Sequence, residues 1–157
     1  MVCGTIASGK TSYCKEIKEK YNAVLLSVDE IMYDIYHHRE GEEHDKVVFD
    51  IKNYLKKKSI EIVNSGTNVL LDWGFWTRKE REEIRAFYAS HHIECEWHNI
   101  EISEEDWMQN IAERNQKVLA GKSTDYYVDE GLLEKVNSLY EMPEREEIDC
   151  WHVFKRK

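Results

Sequence analysis

The sequence has few features that would divide the chain or direct it to a membrane. It contains a single proline among 157 residues, and it shows no internal repeat, low-complexity segment or linker. No apolar run approaches the length of a membrane-spanning helix, and a glycine-containing segment already begins at residue 4, which argues against a signal peptide. These absences predict one globular domain over residues 1–157 in a cytoplasmic protein without membrane association.

Positive charge is scarce as well. The chain carries 22 lysines and arginines against 31 aspartates and glutamates, which gives a net charge of −9. This balance argues against a large non-specific nucleic-acid surface, although a local basic pocket for phosphate groups is compatible with it. Nucleic acid is therefore not expected as a partner.

Patterns typical of disulfides and metal sites are also missing. The four cysteines lie far apart without a C-x-x-C pair, so we expect buried, reduced thiols. The two histidine pairs lack a second cluster at metal-site spacing, so we expect them in solvated loops or at helix ends. These residues are Cys3, Cys14, Cys95 and Cys150, and the pairs His37-His38 and His91-His92.

The most informative stretch that is present is Gly4–Thr11, which reads G-x-x-x-x-G-K-T. Glycines at both ends allow turn conformations in which consecutive backbone N–H groups point inward at phosphate oxygens. Lys10 supplies a cation for the β- and γ-phosphates, and the Thr11 hydroxyl can reach Mg²⁺. The segment is therefore predicted to bind a nucleotide through Gly4, Thr5, Ala7, Ser8, Gly9, Lys10, Thr11 and Ser12.

Apolar runs alternate with helical patterns along the rest of the chain. A strand fragment is predicted at residues 1–3, and further strands are predicted at residues 23–26, 68–72, 94–102 and 148–154. The strand at 23–26 is expected to be buried on both faces because its apolar run is continuous. Between them the spacing predicts helices at 10–21, 31–36, 44–64, 77–91, 103–115 and 132–139, with polar loops at 37–43 and 116–127. This alternation indicates an α/β fold with a parallel sheet covered on both faces.

Two aspartates stand at the ends of predicted strands, where open α/β sheets place their ligands. Asp72 closes an apolar strand as a Walker-B aspartate does, and it could hold Mg²⁺ together with Thr11; a turn-initiating aspartate is the alternative. Asp29 follows the strand after the first helix. It could accept the proton of a substrate hydroxyl or help hold the metal, and it could also cap the helix that follows.

Cationic and aromatic side chains complete the candidate site. Arg114 borders the polar loop at 116–127, so closure of that loop could bring it onto the phosphates. A solvated surface position is the alternative for this arginine, and more so for the other basic residues. Two tryptophans beside Asp72 could line an acceptor pocket or simply pack under a loop. The substrate candidates are Asp29, Trp73, Trp76, Arg78 and Arg81, with Lys122 as a further cation.

Several segments together resemble the small P-loop kinases grouped with zeta toxins, chloramphenicol phosphotransferase and polynucleotide kinase. Within that group the chain is similar to compact bacterial ATP-binding proteins that carry the name AAA domain. The most specific of the matching segments reads VLLDWGFWTRKER. The matching segments are Gly4–Thr11, Ser27–Asp29, Val69–Arg81, Ala112–Asn115, and the region from Tyr127-Val128 to Tyr140–Pro143.

This resemblance implies a three-layer α/β/α P-loop nucleoside triphosphate hydrolase fold, with about five parallel strands and a helical lid at residues 114–128. It also implies ATP and Mg²⁺, with Asp29 acting toward the acceptor hydroxyl and Arg114 as a lid arginine beside the catalytic Lys10. Only three residues precede Gly4. The first strand is therefore expected to be short, unless translation begins upstream.

The function expected from the sequence is that of an ATP-dependent kinase that moves the γ-phosphate to a hydroxyl of a small-molecule or nucleotide-type acceptor. The alternative is an ATP-binding or ATPase module with a regulatory role and no acceptor phosphorylation. A GTPase-type switch is disfavoured because the sequence has no N-K-x-D motif to read guanine.

Overall fold

The computed structural model describes residues 1–37 and 41–156. Within these ranges, five strands alternate with helices. The strands are β1 (Val2–Cys3), β2 (Ala23–Ser27), β3 (Asn68–Gly74), β4 (His98–Glu101) and β5 (Cys150–Val153). The α-helices are α1 (Lys10–Lys20), α2 (Val28–Ile31), α3 (His44–Asn64), α4 (Arg78–Ser90), α5 (Glu104–Leu119) and α6 (Glu130–Leu139).

The strands form one sheet in the order β2-β3-β1-β4-β5, and β2–β3, β1–β4 and β4–β5 pair in parallel. This confirms the predicted α/β fold with five parallel strands. The expectation that β2 is buried on both faces was wrong, because Val24 is 42% exposed. β2 is the first strand in the sheet order, and a continuous apolar run does not distinguish an edge strand from a central one.

The chain divides into two compact units. The first joins Met1–Lys10 to the chain from Gly74 onward, and the second is Thr11–Trp73. The first unit buries residues of β1, α4, β4 and α6 and the aromatic residues just after β3 and just before β4, namely Val2, Cys3, Phe75, Tyr88, Trp97, Ile100 and Val136. The second buries one side of α1, α2 with the helical turn that follows it, and α3 against the middle of β3, namely Cys14, Ile17, Val28, Met32, Leu55, Leu70 and Leu71.

The predicted helix over 44–64 is confirmed at both ends by α3, which contains no glycine or proline. β4 is shorter than the predicted strand over 94–102. The backbone N–H of Trp97 donates to the Asp149 carboxylate at 2.7 Å, so a side chain takes the place of a strand partner before His98. Residues 38–40 of the predicted polar loop over 37–43 lie outside the described residues.

α5 continues to Leu119, past the predicted start of the polar loop at residue 116. Its N-cap is Ser103, as predicted, whose hydroxyl accepts from the backbone N–H of Asp106 at 3.2 Å. At the other end Gly121 has φ 65°, and its N–H donates to the Val118 carbonyl at 3.0 Å. The glycine therefore terminates a helix in the left-handed conformation; the sequence pattern had placed it within a loop.

The cysteine expectation is confirmed for two residues. Cys3 and Cys14 are buried, Cys95 and Cys150 are half-buried, and none of the four forms a disulfide in the described part of the chain. Burial raises the pKa of the Cys3 thiol to about 11, which keeps it protonated. No described helix combines the length and apolar character needed to cross a bilayer.

Candidate active site

The Gly4–Lys10 segment forms the turn between β1 and α1. Its backbone takes positive φ at three positions, with 149° at Gly4, 55° at Ala7 and 93° at Gly9. Positive φ values interspersed in such a turn allow successive N–H groups to point to one side, where they form a concavity that binds anions. The loop ends at the first residue of α1, where the helix dipole adds partial positive charge. This geometry fits a phosphate group.

Close packing explains why Gly4 must be a glycine. A Cβ at this position would lie 2.9 Å from the Ser8 hydroxyl and 3.0 Å from the Ile100 carbonyl oxygen. Ser8 is fully buried, and its hydroxyl has no hydrogen-bond partner among residues 1–37 and 41–156. A buried polar atom of this kind is expected to gain a partner when the loop is occupied.

Helix α5 holds the loop from one side. The Trp107 indole N–H donates to the Ile6 carbonyl at 2.7 Å, and the Asn110 amide donates to the Ala7 carbonyl at 3.0 Å. Arg156 in turn donates to the Asn110 side-chain oxygen at 2.8 Å. The sequence pattern did not identify Asn110 or Arg156 as positioning residues, because contacts across 103 and 46 positions leave no local signal.

The segment after β5 reaches the same loop. The Phe154 ring lies close enough to Gly9 that a Cβ there would be 3.1 Å from it. The left-handed φ of Gly9 and this ring both exclude a larger residue. Phe154 thus lies beside the loop although only a short terminal strand was predicted for this region.

Lys10 points back across the loop. Its ammonium group donates to the Thr5 carbonyl at 2.7 Å, and its side chain is half-buried. Lys10 is the last residue of the loop, and its ammonium group lies back inside the loop beside Thr5. In this position the ammonium group can neutralise phosphate charge without a large change in the side-chain conformation.

In the second unit, Thr11 and Asp72 are joined. The Thr11 hydroxyl donates to the Asp72 carboxylate at 2.8 Å, and Asp72 is 7% exposed. Asp72 is the register partner of Ser27 on β2, so it lies at the carboxyl end of the β2–β3 pair. A hydroxyl and a carboxylate are hard oxygen donors, the type that Mg²⁺ prefers. The pair therefore fits the predicted metal role.

Asp29 lies two residues beyond Ser27, in the first turn of α2, and it is exposed. The helix cap is Ser27, whose hydroxyl accepts from the Glu30 N–H at 3.4 Å. The capping alternative for Asp29 was therefore wrong. Its position in an exposed turn just beyond the Ser27–Asp72 register pair is compatible with contact to a substrate.

The turn after β3 has unusual backbone geometry. Gly74 has φ 83° and Phe75 has φ 51°, although Phe75 is a bulky residue and fully buried. A Cβ at Gly74 would be 2.8 Å from the Trp76 indole nitrogen. Left-handed conformations of bulky residues are strained and concentrate near functional sites. The turn therefore restrains the backbone conformation of the residues that follow Asp72.

The two tryptophans differ in their environment. The Trp73 indole N–H donates to the Leu26 carbonyl at 3.1 Å, and Trp73 is 7% exposed, which matches the packing alternative. The buried Trp76 indole N–H has no partner within the described ranges. The indole donor of Trp76 is therefore unsatisfied in the described structure, whereas that of Trp73 is bonded to Leu26; a substrate contact by Trp76 stays a prediction.

The burial and hydrogen bonds of Arg81 disagree with its predicted role in substrate binding. It is 1% exposed, and it donates to both carboxylate oxygens of Glu147 at 3.1 Å. It also donates to the carbonyls of Phe75, Trp76 and Glu141 at 3.2, 3.4 and 3.0 Å. These bonds tie the start of α4 to the segment after α6. Arg81 is a structural residue, and sequence could not show this because Glu147 lies 66 positions away.

Arg78 and Thr77 also belong to this region. The Thr77 hydroxyl accepts from the Glu80 N–H at 3.1 Å, which confirms the predicted N-cap. Arg78 is exposed and pairs with Glu82 and Glu144 at 2.9 and 3.2 Å. Its guanidinium is therefore engaged with carboxylates on the surface of the first unit.

The Arg81–Glu147 pair predicts a pH dependence of stability. Burial by itself raises the pKa of Glu147, but hydrogen bonds from Arg81 and from the Glu144 backbone outweigh burial and leave this pKa below its ordinary value. A lowered folded-state pKa stabilises the protein above the unfolded pKa of about 4.3, and this contribution is lost as pH falls through the folded value. In urea unfolding between about pH 5 and pH 2, the Glu147→Gln variant should lack this part of the pH dependence. An unchanged pH slope in Glu147→Gln would contradict the assignment.

Arg114 lies within α5, five residues before its end. Its guanidinium donates to the Tyr126 carbonyl at 2.9 Å and lies 3.8 Å from Asp125. Asn115 makes two 2.8 Å hydrogen bonds with the backbone of Val128. In this structure both residues therefore hold the 120–128 segment against α5.

A glycine-containing turn between a parallel strand and a helix ends in a lysine, and the threonine after that lysine bonds an aspartate near the end of a strand. This combination defines a P-loop nucleotide-binding protein. The family described as AAA domain matches residues 1–143, and the chain belongs to this family. Comparison with curated proteins gives no match.

Solved structures share the fold at low sequence identity. A protein of Chloroflexus aurantiacus has a TM-score of 0.71 at 18% identity, over 98% of this chain and 81% of that chain. A gluconokinase of Sinorhizobium meliloti has 0.69 at 15% identity, over 99% and 82%. The APS kinase of Mycobacterium tuberculosis, in complex with AMPPNP and APS, has 0.62 at 17% identity, over 99% and 87%. The fold is therefore that of small P-loop kinases.

Proposed function

We propose that the protein is an ATP-dependent phosphotransferase that moves the γ-phosphate of ATP to a hydroxyl of a small-molecule or nucleotide-type acceptor. The observation that carries the proposal is the 2.8 Å hydrogen bond from Thr11 to Asp72. It joins the end of the phosphate-loop motif to an aspartate near the carboxyl end of β3. A glycine-containing turn without a nucleotide-binding role would not need a threonine bonded to a strand-end aspartate.

The chain's own residues would each have a separate task. The loop N–H groups and the Lys10 ammonium would bind phosphate oxygens, and Thr11 with Asp72 would hold Mg²⁺. When bound, ATP supplies the transferable phosphoryl group and Mg²⁺ neutralises part of its charge. Asp29 would orient the acceptor hydroxyl and take its proton. Arg114 would add positive charge after exchanging its Tyr126 and Asp125 contacts for phosphate.

The comparisons support the proposal at the level of fold and family. The gluconokinase and the APS kinase are phosphotransferases by name, and the APS kinase is in complex with AMPPNP, an ATP analogue. At sequence identities of 15% and 17%, these two structures do not identify the phosphate acceptor of this chain. A screen of metabolite extracts with γ-labelled ATP is the experiment that identifies it.

The second candidate is an ATP-binding module without acceptor phosphorylation. The observation that favours it is that Arg114 already bonds Tyr126 and approaches Asp125. If Arg114 keeps its contacts with Tyr126 and Asp125, no cation from the lid reaches the transferring phosphoryl group. ATP binding without labelling of any compound in the extract would support this candidate over the kinase.

Asp29→Asn tests the kinase mechanism directly. Once an acceptor is found, this variant should transfer phosphate at least about a hundredfold more slowly, because the amide cannot take a proton. ATP affinity should be retained, since Asp29 is not part of the phosphate loop. Asp34→Asn is the matched control, because Asp34 is also exposed and lies in the helical turn after α2. Wild-type transfer by Asp29→Asn would refute the role of Asp29.

A further inference from the structure

Three side chains of metal-binding types gather on β4, β5 and the residues before β4. The Glu96 Oε1 and His98 Nε2 atoms are 2.7 Å apart, and the Cys150 Sγ atom lies 3.9 Å from the same Glu96 oxygen. All three ligand atoms lie within 4.8 Å of one another. The group belongs to the first unit, and it shares no residue with the phosphate loop or the Thr11–Asp72 pair.

The sheet explains why these residues meet. His98 and Cys150 are register partners on neighbouring parallel strands, so their side chains lie on the same face. Glu96 precedes His98 by two residues, which returns its side chain to that face. Hydrogen bonds fix the backbone here, because the Met1 amino group donates to the Glu96 carbonyl at 2.8 Å and the Cys150 N–H to the Trp97 carbonyl at 3.0 Å. Two of the three ligands therefore stand on a paired, hydrogen-bonded strand segment.

We propose that Glu96, His98 and Cys150 form a binding site for a zinc-type divalent ion. Carboxylate, imidazole and thiolate are the ligand types that Zn²⁺ takes, whereas Mg²⁺ takes oxygen. Tetrahedral bonds of about 2.0–2.3 Å place ligand atoms roughly 3.3–3.8 Å apart. Small side-chain rotations reach this spacing from the observed one, and the Cys150 thiol passes its proton to solvent on binding.

Exposure and charge fit a site with an open position. His98 is 4% exposed, whereas the Glu96 side chain is 49% exposed. Water can therefore complete the coordination from the Glu96 side, as in zinc sites with three protein ligands. The thiolate and the carboxylate balance the two positive charges of the ion. The alternative is an ordinary hydrogen-bonded His98–Glu96 pair that happens to lie beside a cysteine.

Binding would add a side-chain link between β4 and β5, which already pair through their backbones, and so stabilise the strand that precedes Phe154, the residue beside Gly9. Because an ion bound only by the folded state shifts the folding equilibrium, the unfolding midpoint should rise by roughly 5–10 °C at a hundredfold excess over the dissociation constant. This stabilisation should appear with Zn²⁺ in the absence of any nucleotide.

Cobalt titration of the chelator-treated full chain tests the site. Co²⁺ is expected to bind one ion per chain with a thiolate-to-cobalt charge-transfer band, and Zn²⁺ should displace it. The band should disappear in Cys150→Ser, and affinity should fall about 10- to 100-fold in Glu96→Gln. Cys95→Ser is the matched control, because Cys95 is also half-buried and lies outside the cluster.

Three results would overturn the proposal. They are a wild-type chain that gives no charge-transfer band, a band that survives Cys150→Ser, and a band that Cys95→Ser removes. Circular dichroism of each variant at matched concentration verifies that the fold is retained. Because nucleotide is absent from the titration, these results are independent of the proposed kinase activity.

Discussion

Replacing Lys10 with alanine is expected to abolish detectable ATP turnover and to weaken ATP binding by on the order of a hundredfold or more. The ammonium lies within the phosphate loop, 2.7 Å from the Thr5 carbonyl oxygen. Hydrogen bonds to charged groups contribute about 1.5–3 kcal/mol each, and the lysine of this motif is placed to reach two phosphates. Isothermal titration with ATP and Mg²⁺ measures the loss.

The matched control is Lys15→Ala. Lys15 lies on the same helix, α1, and it is exposed. Both substitutions remove one positive charge from α1, so a difference between them reports position and not net charge. ATP binding and turnover at the wild-type level in Lys10→Ala would refute the phosphate assignment and, with it, the proposed function.

Arg81→Met is expected to cause the largest loss of stability among single substitutions in the first unit. The substitution leaves the Glu147 carboxylate, which is 9% exposed, without its bidentate partner. It also removes donors from the carbonyls of Phe75, Trp76 and Glu141. Breaking a buried ion pair from one side costs about 3–5 kcal/mol. For a chain of this length the unfolding midpoint should fall by roughly 6–20 °C.

Arg78→Met is the control for this prediction. It removes an arginine three positions earlier that also pairs with two glutamates, but these pairs are exposed. Exposed ion pairs are screened by solvent and contribute little. Calorimetry should therefore show an unfolding midpoint near that of the wild type. Equal midpoints for Arg81→Met and Arg78→Met would contradict the structural role of Arg81.

Much of the fold was predictable because the informative patterns are local. The helix over 44–64 follows from apolar periodicity without an interrupting glycine or proline. The caps at Thr77 and Ser103 follow from a hydroxyl that accepts from a backbone N–H three residues later. Strand ends were less predictable. β4 begins at His98 because Asp149, distant in sequence, takes the N–H of Trp97.

The candidate site likewise contains parts that local sequence patterns predict and parts that depend on contacts between distant residues. The phosphate loop could be read from the chain because eight consecutive residues contain its glycines, its lysine and its threonine. Asp72 could be proposed from its position after an apolar strand, and the structure adds its hydrogen bond to Thr11. The roles of Asp29 and Arg114 in catalysis stay predictions.

The sequence by itself determined the phosphate loop, the α/β alternation and the helix caps at Thr77 and Ser103, since each depends on residues a few positions apart. The tertiary structure alone decided that Arg81 serves the fold, that Trp107 and Asn110 hold the loop carbonyls, and that Glu96, His98 and Cys150 meet. Charge and hydropathy along the chain are the same for a buried arginine and a substrate-binding one. Only the partner that folding brings from 50 to 100 residues away distinguishes them.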